Sequence, residues 1–159
     1  MNKFNFTVPR TDPAVDHDES AQAGDAEWQR IWFASLAQPW TSMAIVPSEQ
    51  GVDVIPIAEM LGSVGRRHGV AVIHVVNAVK ASIGDVQTLI GQIAVARTQR
   101  ELTIVALNCP SENPATIPLA RATSGVLLVV RTGESRVNSV KKTVDAIGRD
   151  RILGSIVLD

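Results

Sequence analysis

The 159-residue chain has no tyrosine, a single cysteine, and only three phenylalanines and three tryptophans. Each shortage excludes something. Without tyrosine, the chain cannot be modified on that residue. One thiol, Cys109, rules out an internal disulfide and fits a reducing compartment. No apolar run approaches the ~18 residues needed to cross a membrane, and the amino terminus lacks the apolar stretch of a secretory leader. Charge of one sign is also scarce. Fifteen basic and 16 acidic residues leave a net charge of −1, without the clustered basic footprint of a nucleic-acid binder. A cytoplasmic protein with no nucleic-acid partner is expected.

What is present is ordinary for one globular domain: 45% apolar and 19% charged residues. The composition divides the chain into an acidic amino-terminal tail, 1–24, and a folded domain, 25–159. The tail carries Asp12, Asp16, Asp18 and Glu19, two prolines and few apolar residues, so it buries too little to offset its ordering entropy. It reads as a flexible tail; the alternative is that Phe4 and Phe6, spaced two apart, dock as one face of an added strand.

Beyond the tail, Trp28, Ile31, Trp32 and Leu36 recur at helical spacing, with Asp25 as a cap and Pro39 as a stop. Five apolar runs follow, Met43–Val46, Val70–Val76, Leu102–Leu107, Gly125–Val130 and Ile152–Leu158. They do not alternate with polar residues, the mark of parallel strands covered on both faces. Between them lie helical stripes through Val54, Ile57 and Leu61, through Val86, Leu89 and Ile93, and through Val137, Val140 and Val144. The third stripe is expected to start near Ser135. Strands alternating with helices give an α/β domain with right-handed crossovers.

The loop Val46–Val54 stands where a phosphate-binding loop belongs, between a strand and a helix. Such a loop needs glycines for close backbone approach, a lysine for the β- and γ-phosphates and a Ser or Thr for Mg²⁺. Here Ser48, Glu49, Gln50, Gly51 and Asp53 offer one glycine and no lysine, and two carboxylates lie where phosphate would sit.

The segment Ala122–Arg136, reading ATSGVLLVVRTGESR, resembles the "aDGVLLVVRpGxTr" stretch of bacterial tyrosine kinases of capsule and exopolysaccharide systems. These are P-loop ATPases related to septum-positioning and partitioning ATPases. Val137–Leu158 is similar to the helix and last strand that follow in that family, and Glu27-Trp28-Gln29-Arg30 resembles the start of its ExxRxxR self-association helix, with Phe33 in place of the second arginine. The resemblance runs from about Glu27 to the end. It implies a three-layer P-loop NTPase-like fold, a five-stranded parallel sheet in the order 2-3-1-4-5 flanked by helices.

Against that family, the chemistry is depleted. Aligning Gly51 with the last glycine of the family's loop puts Val52 at the lysine and Asp53 at the Ser/Thr; a shift by one puts Asp53 at the lysine. His74 and Val76 stand where the second motif has acidic residues, and Ala106 or Leu107, before Asn108, where the third has its metal-binding Asp. The family's tyrosine-rich tail has no counterpart. Phosphoryl transfer rests on positioning and charge neutralisation, so a degenerate member without catalytic residues, metal or cofactor is expected. Its degenerate nucleotide site would comprise Ser48, Glu49, Gln50, Gly51, Asp53, His74 and Asn108.

The remaining candidates have plainer alternatives. His74 lies in a strand run with no acidic partner nearby and reads as a structural histidine. Cys109 has no adjacent His or helix start to lower its pKa and reads as an idle thiol. Lys141 and Lys142 read as solvent-facing, being too few for a polybasic anchor. Glu27, Trp28, Arg30, Trp32 and Phe33 form a candidate interface, since aromatics concentrate in interface cores; the alternative is that this helix packs its tryptophans on its own sheet. The resemblance implies a non-catalytic scaffold or regulator of exopolysaccharide biosynthesis and export. Its partner would be a membrane polysaccharide co-polymerase or another assembly protein, reached at the inner membrane, or a second copy. The rival expectation is a positioning-type regulator that binds ATP without hydrolysing it.

Overall fold

The computed structural model describes residues 4–8, 17–133 and 137–159. In chain order the elements are β1 (Phe4–Val8), α1 (His17–Ser35), β2 (Ser42–Pro47), α2 (Ile55–Arg67), β3 (Ile73–Asn77), α3 (Val86–Thr98), β4 (Leu102–Ala106), α4 (Thr116–Ala122), β5 (Gly125–Arg131), α5 (Val137–Ile147) and β6 (Ile152–Leu158). The sheet is parallel throughout, in the order β1-β6-β5-β2-β4-β3.

The sheet therefore has six strands rather than the expected five. The five apolar runs keep the order expected among themselves, and Phe4–Val8 adds at the edge against β6, with Phe6 opposite Ile156 and Asn5 Oδ1 accepting a hydrogen bond from Ser155 Oγ at 2.9 Å. A flexible 1–24 tail is thus corrected in two places. Residues 4–8 form a strand because Phe6 and Val8 find apolar surface on one face, and α1 begins at His17, with Asp25 inside the helix instead of capping it. The rest of the tail, 1–3 and 9–16, lies outside the described residues, as does Ser135, the expected start of the helix observed as Val137–Ile147.

The two faces of the sheet carry different cores. On one, α1 and α2 cover Met43, Ile45, Ile104, Ala106, Leu127 and Val129. Trp32 is 1% exposed there and meets Trp40 edge-on, ring centroids 5.8 Å apart at 82°. Gly65 allows the close approach of α2: a Cβ at that position would lie 2.5 Å from Trp32 Cη2. On the other face, α3, α4 and α5 cover Ala44, Val46, Val105, Leu107 and Val126 with aliphatic side chains only. Each central strand thus alternates its apolar residues between two cores, which is why the strands read as unbroken hydrophobic runs. Pro56 is accommodated in the first turn of α2, where its missing N–H costs no helical hydrogen bond. Among the described residues, no helix is long and apolar enough to cross a membrane.

Candidate functional site

The carboxyl ends of β2, β4 and β5 open at a topological switch. The loop after β2 leads to α2 on one face, while those after β4 and β5 lead to α4 and α5 on the other. Open α/β sheets place their ligands in such crevices.

At each end of the loop after β2 a backbone donor is engaged within the chain and a proline supplies none. Pro47 has no N–H. The N–H of Ser48 continues the sheet, donating to Val129 O at 2.9 Å. Gly51 takes φ of +77°, and a Cβ there would meet nothing within 4 Å, so the backbone angle and not crowding calls for glycine. Asp53 Oδ1 accepts the N–H of Ile55 at 3.0 Å, and Pro56 again lacks one. The amino end of α2, whose dipole attracts anions, already receives a carboxylate from its own chain.

Beside this loop lies a cavity of about 580 Å³, lined by Ser48, Glu49 and Gln50, by Cys109, Pro110 and Ser111 after β4, and by Ser139, Lys142, Thr143 and Ala146 of α5. Thr143 Oγ1 lies 3.5 Å from Ser48 O, and Cys109 Sγ lies 3.0 Å from Ser111 Oγ. Ser48 is 2% exposed, yet its Oγ has no hydrogen-bond partner among the described residues.

The remaining predicted site residues separate. Asn108 is tied into the turn after β4: its Oδ1 accepts the Cys109 N–H at 2.7 Å and its carbonyl accepts Thr116 Oγ1 at 2.8 Å. His74 stands on the edge strand β3, in a groove against α3, and the structure does not bring it to the loop. It has an acidic partner after all, Glu101, to which its Nε2 is hydrogen-bonded. Sequence reasoning missed that pair because only the β3–β4 register, His74 opposite Thr103, brings Glu101 alongside. Lys142, Ser139 and Thr143 were missed as site residues for a similar reason. Their spacing by one helical turn was visible, but their proximity to Ser48 depends on how α5 crosses the sheet.

The comparisons with known structures belong with this arrangement. The chain superposes on the structure titled "Crystal structure of the chimerical protein CapA2B2" with a TM-score of 0.73, covering 96% of this chain and 92% of that one at 11% identity. The two share a fold. The BceF tyrosine kinase domain is also similar, with a TM-score of 0.59, 88% of this chain and 76% of that one covered, and 11% identity. No family model matches the chain, and no curated protein sequence does.

The interface candidates on α1 also divide. Trp32 belongs to the chain's own core, which removes it from the exposed face. Trp28 is partly buried against the same core. Arg30 and Glu27 pair at 3.3 Å on the surface. Phe33 is 54% exposed and meets His68 of the α2 terminus edge-on, with centroids 4.8 Å apart; Leu36 beside it is 48% exposed. The solvent-facing part of the candidate surface is therefore Arg30 and Phe33, extended by Leu36, with Glu27 partly buried beside them.

Two carboxyls are held below their ordinary range. Asp25 is stabilised as the anion chiefly by the Arg67 guanidinium, whose Nη2 lies 2.8 Å from Oδ1, with desolvation opposing the effect. Asp85 accepts the backbone N–H and the hydroxyl of Ser82, both at 2.8 Å, closing a capping box ahead of α3. Among the described residues, no cluster of His, Cys, Asp or Glu has a metal-binding arrangement.

Proposed function

We propose that this chain is a non-catalytic pseudo-ATPase or pseudokinase that acts by protein contact in exopolysaccharide biosynthesis and export. In this reading it is a degenerate P-loop NTPase-like domain, docked on a membrane polysaccharide co-polymerase or another assembly protein, or on a second copy of itself. The fold shared with the CapA2B2 chimera and with the BceF tyrosine kinase domain supports the pathway. The observation that carries the non-catalytic reading is Asp53. Its carboxylate occupies the amino end of α2, in a loop without lysine, so a triphosphate arriving there meets repulsion where it needs donors. The contact surface on this reading is the outer face of α1, through Glu27, Arg30 and Phe33.

Titration calorimetry with ATP and ADP, with and without Mg²⁺, tests it, alongside a hydrolysis assay. No heat of binding in the micromolar range and no phosphate release are expected. Micromolar ATP binding without turnover would favour the positioning-type regulator instead, and turnover would end both. For the contact surface, Arg30→Glu combined with Phe33→Asp is expected to abolish capture of a co-polymerase's cytoplasmic segment or to dissociate a self-associated form in sizing chromatography.

A further inference from the structure

We infer that the cavity at the amino rim of the sheet, beside the ends of α3 and α4, binds a small soluble oxyanion of two or more negative charges. Its principal ligands are the guanidinium groups of Arg97 and Arg151, with Arg121 adding to the field. The site lies at the opposite end of the strands from the loop after β2, and the inference does not depend on the scaffold reading.

Three arginines far apart in the chain, Arg97, Arg121 and Arg151, line one cavity of about 670 Å³. The parallel topology brings them together, because each helix must return the chain to the amino edge before the next strand begins. Arg97 lies in the last turn of α3, Arg121 in the last turn of α4, and Arg151 immediately before β6. Two of them are fixed in place. Arg151 Nη1 donates to the carbonyl of Thr123 at 3.0 Å, and Thr123 is itself part of the lining, so this guanidinium is held at the cavity wall. Arg121 Nη2 donates to Ala146 O, in the last turn of α5, at 2.7 Å. Arg97 makes no hydrogen bond or ion pair among the described residues. Its donors are uncommitted.

Cations at helix carboxyl ends can serve only to offset the dipole, so magnitudes decide. A helix end carries roughly −0.5 of an elementary charge, and three such ends offset only about half of three guanidinium charges. No carboxylate makes up the difference. The lining contains no Asp or Glu among the described residues. Nearby, Glu101 is engaged by His74 and Asp145 by Arg149, while Asp150, next to Arg151, is exposed and outside the lining. The cavity therefore keeps a net positive charge.

The donor set fixes the class of ligand. The hydroxyls of Thr98 and Thr123 donate to Val95 O and Ala120 O, and Ser124 Oγ accepts the N–H groups of Thr41 and Ser42. Recognition thus falls to the guanidinium forks, whose paired N–H groups match the oxygens of a carboxylate or phosphate bidentately. Two forks on separate elements, Arg97 on α3 and Arg151 before β6, suit a ligand with two anionic groups. Ile90 and the buried Ile93 form an apolar flank, which limits the screening of that attraction.

The test is calorimetry and thermal melting of the full chain with pyrophosphate and with citrate, in Mg²⁺-free buffer at constant ionic strength set with chloride. Saturable binding of at least one is expected, with a rise in Tm. Arg97→Gln is expected to weaken it at least ~10-fold, as is Arg151→Gln. Arg100→Gln, three residues from Arg97 and outside the lining, is expected to leave it unchanged. Arg97 is exposed and has no partner to lose, so Arg97→Gln should fold normally and its readout stays interpretable. Preference for pyrophosphate would support a phosphorylated ligand, and preference for citrate a polycarboxylate. ATP is itself a polyanion: heat of ATP binding that is lost in Arg97→Gln would support this site and leave the scaffold reading standing. Absence of saturation by either probe at millimolar concentration overturns the proposal. So does an equal loss in Arg100→Gln, which would mark diffuse charge instead of a site.

Discussion

The two ends of β2 both carry a serine, and they hold its hydroxyl differently. At the amino rim, Ser124 Oγ accepts the N–H groups of Thr41 and Ser42, each at 3.2 Å, and sits 3.0 Å from Thr41 Oγ1, while Ser42 Oγ accepts the Ser124 N–H at 3.0 Å. These hydroxyls close the gap between β2 and β5. At the carboxyl rim of the same β2 strand, Ser48 is more deeply buried than Ser124 and yet unpartnered. Polar groups that hold a fold together find partners inside it. Among the described residues, the Ser48 hydroxyl departs from that rule, as does the indole N–H of Trp40.

Four experiments would break or sharpen that contrast. The apolar body between the rims sets the scale: Trp32→Ala should cost ~3–5 kcal/mol in urea unfolding, through lost burial and an incompletely collapsed cavity against Trp40 and Gly65. At the amino rim, Ser124→Ala should cost ~1 kcal/mol, since two N–H groups lose their acceptor. At the carboxyl rim, Ser48→Ala should shift stability by less than ~0.5 kcal/mol or raise it, because no bond is lost. A loss there comparable to that of Ser124→Ala would erase the distinction between the rims. The smallest effect concerns pH. The folded Asp85 carboxyl lies below its ordinary 3.8, so its contribution is present above that value and fades as pH falls through the lower folded-state value. Asp85→Asn should therefore lower Tm at neutral pH, and the gap to the parent chain should close in acid; a gap independent of pH would show that the capping box acts through neutral hydrogen bonds alone.

Much of the scaffold was legible. The runs from Met43 to Val46 and from Gly125 to Val130 announced central strands because both of their faces are buried, which removes polar alternation. Elements at the margins were not. β1 is a short edge strand reading Phe-Asn-Phe-Thr-Val, apolar on one face only; its spacing offered a strand only as the alternative to a flexible tail, and it forms because β6 gives it a partner. α4 spans seven residues and carries Pro118, too short and too interrupted for a periodic stripe. On α1 the spacing of Trp28, Ile31 and Trp32 marked a helix but left open whether its tryptophans faced a partner or the sheet. Packing against Trp40 and Gly65 decided for the sheet and left Phe33 outside.

The amino-acid order alone determined that the segment Ser48–Asp53, between a strand and a helix, carries one glycine and no lysine, since those side chains are absent whatever the fold. It also determined the central strands, because continuous apolar runs have no stable alternative to burial on both faces. Only the tertiary structure decided which distant residues line one cavity. Ser48 and Lys142 lie far apart along the chain, and no local pattern encodes their approach; it arises from the path of α5 across the sheet, as does the register that gives His74 its carboxylate. Long-range juxtaposition is set by packing, and packing is a property of the whole chain.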